Sequence, residues 1–79
     1  AEVTQREGEI AAALARVDSA KAAADDARDQ LKRAEGLQVG LAVSVDRLQR
    51  LRFAVQRASA DLETAKAQLN AADAALESA

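Results

Sequence analysis

From Leu48 onward, apolar residues recur at alternating intervals of three and four: Leu48, Leu51, Val55, Ala58, Leu62, Ala65, Leu69, Ala72, Leu76 and Ala79. That spacing draws a single stripe along one side of an α-helix and is the seam pattern of a left-handed coiled coil. The first half of the chain repeats it with smaller residues. Val3, Ile10, Val17, Ala24 and Leu31 form one track, and Ala13, Ala20, Ala27 and Ala34 the other. Arg6 interrupts this second array near the chain end, where fraying costs little.

The two arrays fit each other if the chain reverses at Leu41. Ala34 then faces Leu48, Ala27 faces Val55, Ala20 faces Leu62, Val17 faces Ala65, Ala13 faces Leu69 and Ile10 faces Ala72, ending with Val3 against Ala79. Large meets small at nearly every level, which lets two helices approach closely without voids. The pattern predicts an all-α fold: an antiparallel two-helix coiled-coil hairpin with helix 1 at about 3–38, a tip at about 39–43 and helix 2 at about 44–79. At 1.5 Å rise per residue such a hairpin is about 54 Å long.

Composition supports the same architecture. Of the 79 residues 49% are hydrophobic, but they are mostly Ala with some Leu and Val, and Phe53 is the one aromatic. Such residues cannot fill a deep globular core, and they favour long helices packed along their length. Asp29–Arg33 and Asp46–Arg50 have the i,i+4 spacing of supporting ion pairs. Gly8 costs about 1 kcal/mol inside a helix, making the open end the softer one. A lone alanine-rich hairpin buries little apolar area, so lateral neighbours or a rigid domain at its open end are expected.

The chemistry of catalysis is thin. The chain has no His, Cys or Tyr, and Ser19, Ser44, Ser59 and Ser78 have no neighbour that would activate a hydroxyl. Asp25 and Asp26 are adjacent on a helix and point about 100° apart, so they cannot share a proton, and a solvated face is expected of them over an acid pair or a metal site. Gly36 and Gly40 lack the spacing and the lysine of a phosphate-binding loop. The expectation is a protein that is not an enzyme and takes no cofactor or metal. No apolar run approaches the roughly 18 residues that would span a membrane, and no secretory leader opens this segment.

Charge is uneven along the chain. Arg28, Lys32, Arg33, Arg47, Arg50, Arg52 and Arg57 cluster toward the reversal against Asp29, Glu35 and Asp46, leaving the remainder acidic. A basic end suits phosphates, but single-strand binders also need stacking aromatics, so nucleic acid is not the expected partner. Phe53 falls on the helix face turned away from the seam, with Arg50 and Arg57 three residues before it and four after. That placement makes Phe53, Arg50 and Arg57 candidates for packing between molecules, against the plainer reading of an isolated exposed Phe.

The reversal itself reads RAEGLQVGLAVS over residues 33–44, followed by Val45. Ser44 is placed to cap the second helix, Asp46 suits its first turn, and Gly40 supplies the freedom that a tight reversal needs. Leu37, Val39, Leu41, Val43 and Val45 exceed what a polar helix–helix connection requires. An apolar tip ringed by arginines fits end-on docking, with Gly40, Leu41 and Val43 supporting the contact.

The spacing Arg33, Leu37, Ser44 matches the R-x3-L-x6-S tip motif, and the stretches QLKRAEGLQVGLAVSVDRLQRLR and ASADLETAKAQLNAADAAL resemble the tip and returning arm of periplasmic adaptor proteins, the membrane fusion proteins of the haemolysin-D type. The resemblance covers essentially the whole chain. It implies a bridge between an inner-membrane transporter and a TolC-like outer-membrane channel in tripartite efflux or type I secretion. It also implies a periplasmic location, tethered to the inner membrane, with hairpins side by side, typically as a hexamer. Arg33, Leu37 and Ser44 would then be the channel-docking residues, with capping alone as the alternative role for Ser44. The lipoyl-like, β-barrel and membrane-proximal domains of such adaptors are not within these residues, so transporter contacts are expected to lie elsewhere. Two rivals stand beside this reading. A nucleic-acid-binding hairpin arm predicts salt-sensitive retardation of RNA or DNA; a structural spacer predicts tolerance of polar residues at Leu37, Leu41 and Val43.

Overall fold

A computed structural model describes residues 2–39 and 43–78. The described residues form two helices, α1 (Glu2–Val39) and α2 (Val45–Ser78), packed against each other along a rod of 59 × 13 × 12 Å. It is an all-α helical hairpin. The long axis matches the length that two arms of this size dictate.

The apolar seam lies where the three-four spacing puts it. On α2 Leu48, Leu62 and Ala65 are buried, and Leu51, Val55, Ala58, Leu69, Ala72 and Leu76 are half-buried. On α1 Ala13, Ala24 and Ala34 are buried, while Ile10, Val17, Ala20, Ala27 and Leu31 are half-buried. The most buried positions are mainly alanines. Two helices close readily over a methyl group, whereas of the larger seam residues they bury only Leu48 and Leu62 among the described residues.

Two cross-helix contacts support the register. The Arg28 guanidinium donates to Ser59 Oγ at 3.2 Å, and Arg52 approaches the Glu35 carboxylate at 3.9 Å. The contacts are one heptad apart on each helix. With Ala34 opposite Leu48, both pairs occupy flanking positions on the same side of the seam.

The open end departs from the expectation. Val3 is 51% exposed and does not extend the seam, and its expected partner Ala79 lies outside the described residues. Arg6 is not a frayed break: α1 continues to Glu2, which forms an ion pair with Arg6 at 3.2 Å. Arg6 is half-buried, and its Nε is buried without a hydrogen-bond partner. Beyond this guanidinium in a seam position, Val3 is wet.

The expected Asp29–Arg33 and Asp46–Arg50 ion pairs are not closed among the described residues. Arg28 instead pairs with Asp25 at 3.5 Å and Lys66 with Glu63 at 3.6 Å, both three residues apart on one helix. All are exposed and contribute little to stability.

Gly8 is exposed in α1, and a methyl group built on it would meet nothing within 4 Å. Gly8→Ala should therefore stabilise the hairpin by about 1 kcal/mol, through helix propensity alone. Thermal unfolding followed by circular dichroism checks this; a lower melting temperature would mean that the face at Gly8 is occupied.

Candidate docking tip

The closed end is built from the last turns of α1 and the first turn of α2. Ser44 lies just outside α2 and is its N-cap. Its Oγ accepts a hydrogen bond from the Arg47 backbone N–H at 3.1 Å, and its carbonyl accepts from the Leu48 N–H at 3.2 Å. Helix 2 thus begins at Val45, one residue later than the pattern suggested, because the capping residue sits outside the helical backbone. Helix 1 runs one residue further than expected, to Val39. Gly40 and Leu41 lie outside the described residues, whereas Val43 is half-buried in a bend.

Arg33 and Leu37 come together. One turn apart on α1, they line one side of a shallow groove of about 360 Å³ with Gln30, Ala34 and, from α2, Arg47. Leu37 is 54% exposed. Ser44 does not line the groove, but it meets Arg47 through the cap. Two guanidinium groups, an amide and an apolar side chain therefore surround one depression, equipped for hydrogen bonds to an anion and for covering an apolar group.

Arg47, one of the basic residues clustered toward the reversal, is not among the residues that the tip motif picks out. It stands fourteen positions from Arg33 and outside the tip motif, and only the fold-back brings it across. A local signal did exist. Arg47 occupies the third helical position after a Ser cap, where Glu or Gln would complete a capping box. A cation there opposes the helix dipole, an effect of about 0.3–1 kcal/mol. The site is locally the wrong charge for its helix.

The two sides of the hairpin differ in how their arginines are satisfied. On one side Arg52 meets Glu35, and Arg28 meets both Asp25 and Ser59. On the groove side Arg33 and Arg47 have no carboxylate within ion-pair distance among the described residues. The nearby Asp26 accepts instead from the Gln30 amide at 2.8 Å. Arg50 and Arg57 continue down α2, also exposed and unpaired among the described residues, on either side of Phe53, which is 60% exposed.

A second groove, of about 390 Å³, lies at the open end and is lined by Glu2, Gln5, Arg6 and Glu9, all from α1. Its mixed charges include the Glu2–Arg6 pair and converge on no single chemistry. Among the described residues no group of three or more metal-ligating side chains comes together, and no helix is long and apolar enough to cross a membrane.

Ser44→Ala should cost about 1 kcal/mol, because the first turn of α2 loses the acceptor for its Arg47 N–H. Ser44→Asp keeps an acceptor and should restore the melting temperature. If Ser44→Ala melts like the parent chain, the cap is energetically idle.

The chain matches no family model, no curated protein and no solved structure.

Proposed function

We propose that this hairpin is the coiled-coil arm of a periplasmic adaptor, linking an inner-membrane transporter to a TolC-like outer-membrane channel, with its closed end docking on the channel. The observation that carries the reading is the gathering of Arg33 and Leu37 around one groove, with Ser44 capping the adjoining helix, at the end of a narrow rod. A rod carries a contact point over a distance, and an exposed apolar residue between cations makes that point sticky and selective.

In this mechanism Leu37 fills an apolar notch between helix ends of the channel. Arg33 donates to carboxylates or carbonyls beside that notch, and Ser44 keeps the first turn of α2 in place. Gly40, Leu41 and Val43 complete the contact. Copies stand side by side, as a hexamer in the full assembly, with Phe53, Arg50 and Arg57 on the face available to a neighbour. The transporter is engaged by segments other than the hairpin. The role is mechanical and recognitional, without catalysis, cofactor or nucleic acid.

The test is single replacement of Arg33, Leu37 and Ser44 in exporting cells, with channel binding measured in parallel. Leu37→Asp should lower channel affinity by about tenfold or more, the scale of a central contact residue. If all three replacements leave export and channel binding intact, the docking role is wrong.

A further inference from the structure

We infer that the groove between Arg33 and Arg47 receives a carboxylate from a partner helix, while Leu37 receives an apolar side chain one turn away from that carboxylate. The proposal rests on the adaptor reading for the partner's identity, but the chemistry comes from the groove. Gln30, Ala34 and Leu37 form its walls, and the two guanidinium groups approach it from different helices. Arg33 and Arg47 line the same groove from two helices and can both donate to an anion seated in it.

The argument for an acidic occupant is the asymmetry of the hairpin. On the opposite side Arg28 lies within ion-pair distance of Asp25 and also donates to the Ser59 hydroxyl, and Arg52 lies within ion-pair distance of Glu35. Arg33 and Arg47, which line the groove, have no carboxylate within ion-pair distance among the described residues. Asp26, one turn before Gln30, accepts a hydrogen bond from the Gln30 amide. Arg50 and Arg57 extend the basic edge along the same flank, so the surface suits an acidic helix end over a neutral one.

Arg47 adds the second, independent reason. At its position beside the Ser44 cap a glutamate would serve the helix better on both dipole and capping grounds. A residue that works against its own helix and faces a groove is explained by what the groove binds.

Binding is measured by fluorescence anisotropy with a labelled helical peptide carrying glutamate and leucine one turn apart on one face. The controls are the same peptide with lysine for glutamate and a single-stranded oligonucleotide. The purified chain should prefer the glutamate peptide, and the preference should shrink as salt rises. Arg47→Glu should raise the melting temperature while weakening this binding by about tenfold or more, and Arg47→Gln should weaken it less. Arg52→Gln, on the opposite side, should bind as the parent does.

Equal binding of the two peptides, tighter binding of the oligonucleotide, or unimpaired binding by Arg47→Glu would each overturn the proposal. So would a fall in melting temperature for Arg47→Glu, since Arg47 would then serve the fold. If the peptide fails while Leu37→Asp still abolishes channel binding, the groove proposal falls and the adaptor reading stands. If the peptide binds but every tip replacement exports normally, the adaptor reading falls and the groove remains.

Discussion

Leu48→Ala should destabilise the hairpin by about 2–4 kcal/mol, the usual range for truncating a buried leucine. Leu48 is 1% exposed, and it is the largest side chain in the hairpin to be so completely enclosed. In the seam register it lies against Ala34, itself buried and too small to fill the space left behind. The loss is severe for a chain whose other large seam residues are mostly half-buried. It also falls next to the tip, because Leu48 donates its N–H to the Ser44 carbonyl in the first turn of α2.

Under the proposed docking role, channel binding should suffer along with stability, as Arg47 and the α1 side of the groove lose their fixed separation. Leu48→Met, which nearly conserves volume, should cost less than about 1.5 kcal/mol and retain binding. Chemical denaturation and channel binding measured on both variants check this. A Leu48→Ala chain as stable as the parent would mean that the closed end is not held by this contact.

The helices and their seam were legible because periodicity is a property of the whole chain. A single odd residue cannot erase an apolar stripe extending through Leu48, Leu62 and Leu76. Reversal at the centre followed from the matching of large with small residues, and the cross-helix contacts of Arg28 and Arg52 agree with it. Details that depend on competition between local forces were harder to read. Arg6 sits in the seam instead of disrupting the helix, since its long side chain can bury part of its stem while its head reaches Glu2. Asp29–Arg33 had suitable spacing but remained open; exposed pairs of this kind gain only a few tenths of a kcal/mol, too little to fix a rotamer. Ser44 was readable as a cap from its position alone. Arg47 was not readable as part of the groove until the fold placed α2 beside Leu37, although its charge at that helical position was a clue in plain sight.

Ala24→Leu should be nearly as damaging as the loss of Leu48, for the opposite reason. Ala24 is 0% exposed and stands opposite Ala58 in the seam register, a level where small meets small. There the helices can approach most closely, toward the lower end of the usual interaxial distance of about 8–10 Å. A leucine has no empty space to enter, so it must push the helices apart or adopt a strained rotamer, costing about 1–3 kcal/mol. For a domain of this size that is a fall of roughly 4–8 °C in melting temperature for each kcal/mol. Ala22→Leu, on the exposed face of the same helix turn, should change stability by less than about 0.5 kcal/mol. The contrast separates steric pressure in the seam from the change in helix propensity, which is the same at both positions. Replacing Ala58 with Gly in the Ala24→Leu chain removes a methyl group from the facing helix, so it should recover part of the packing loss against a helix penalty of about 1 kcal/mol. A double-mutant cycle extracts that coupling. Additive effects at Ala24 and Ala58 would place the two residues at different levels and break the register on which the tip geometry depends.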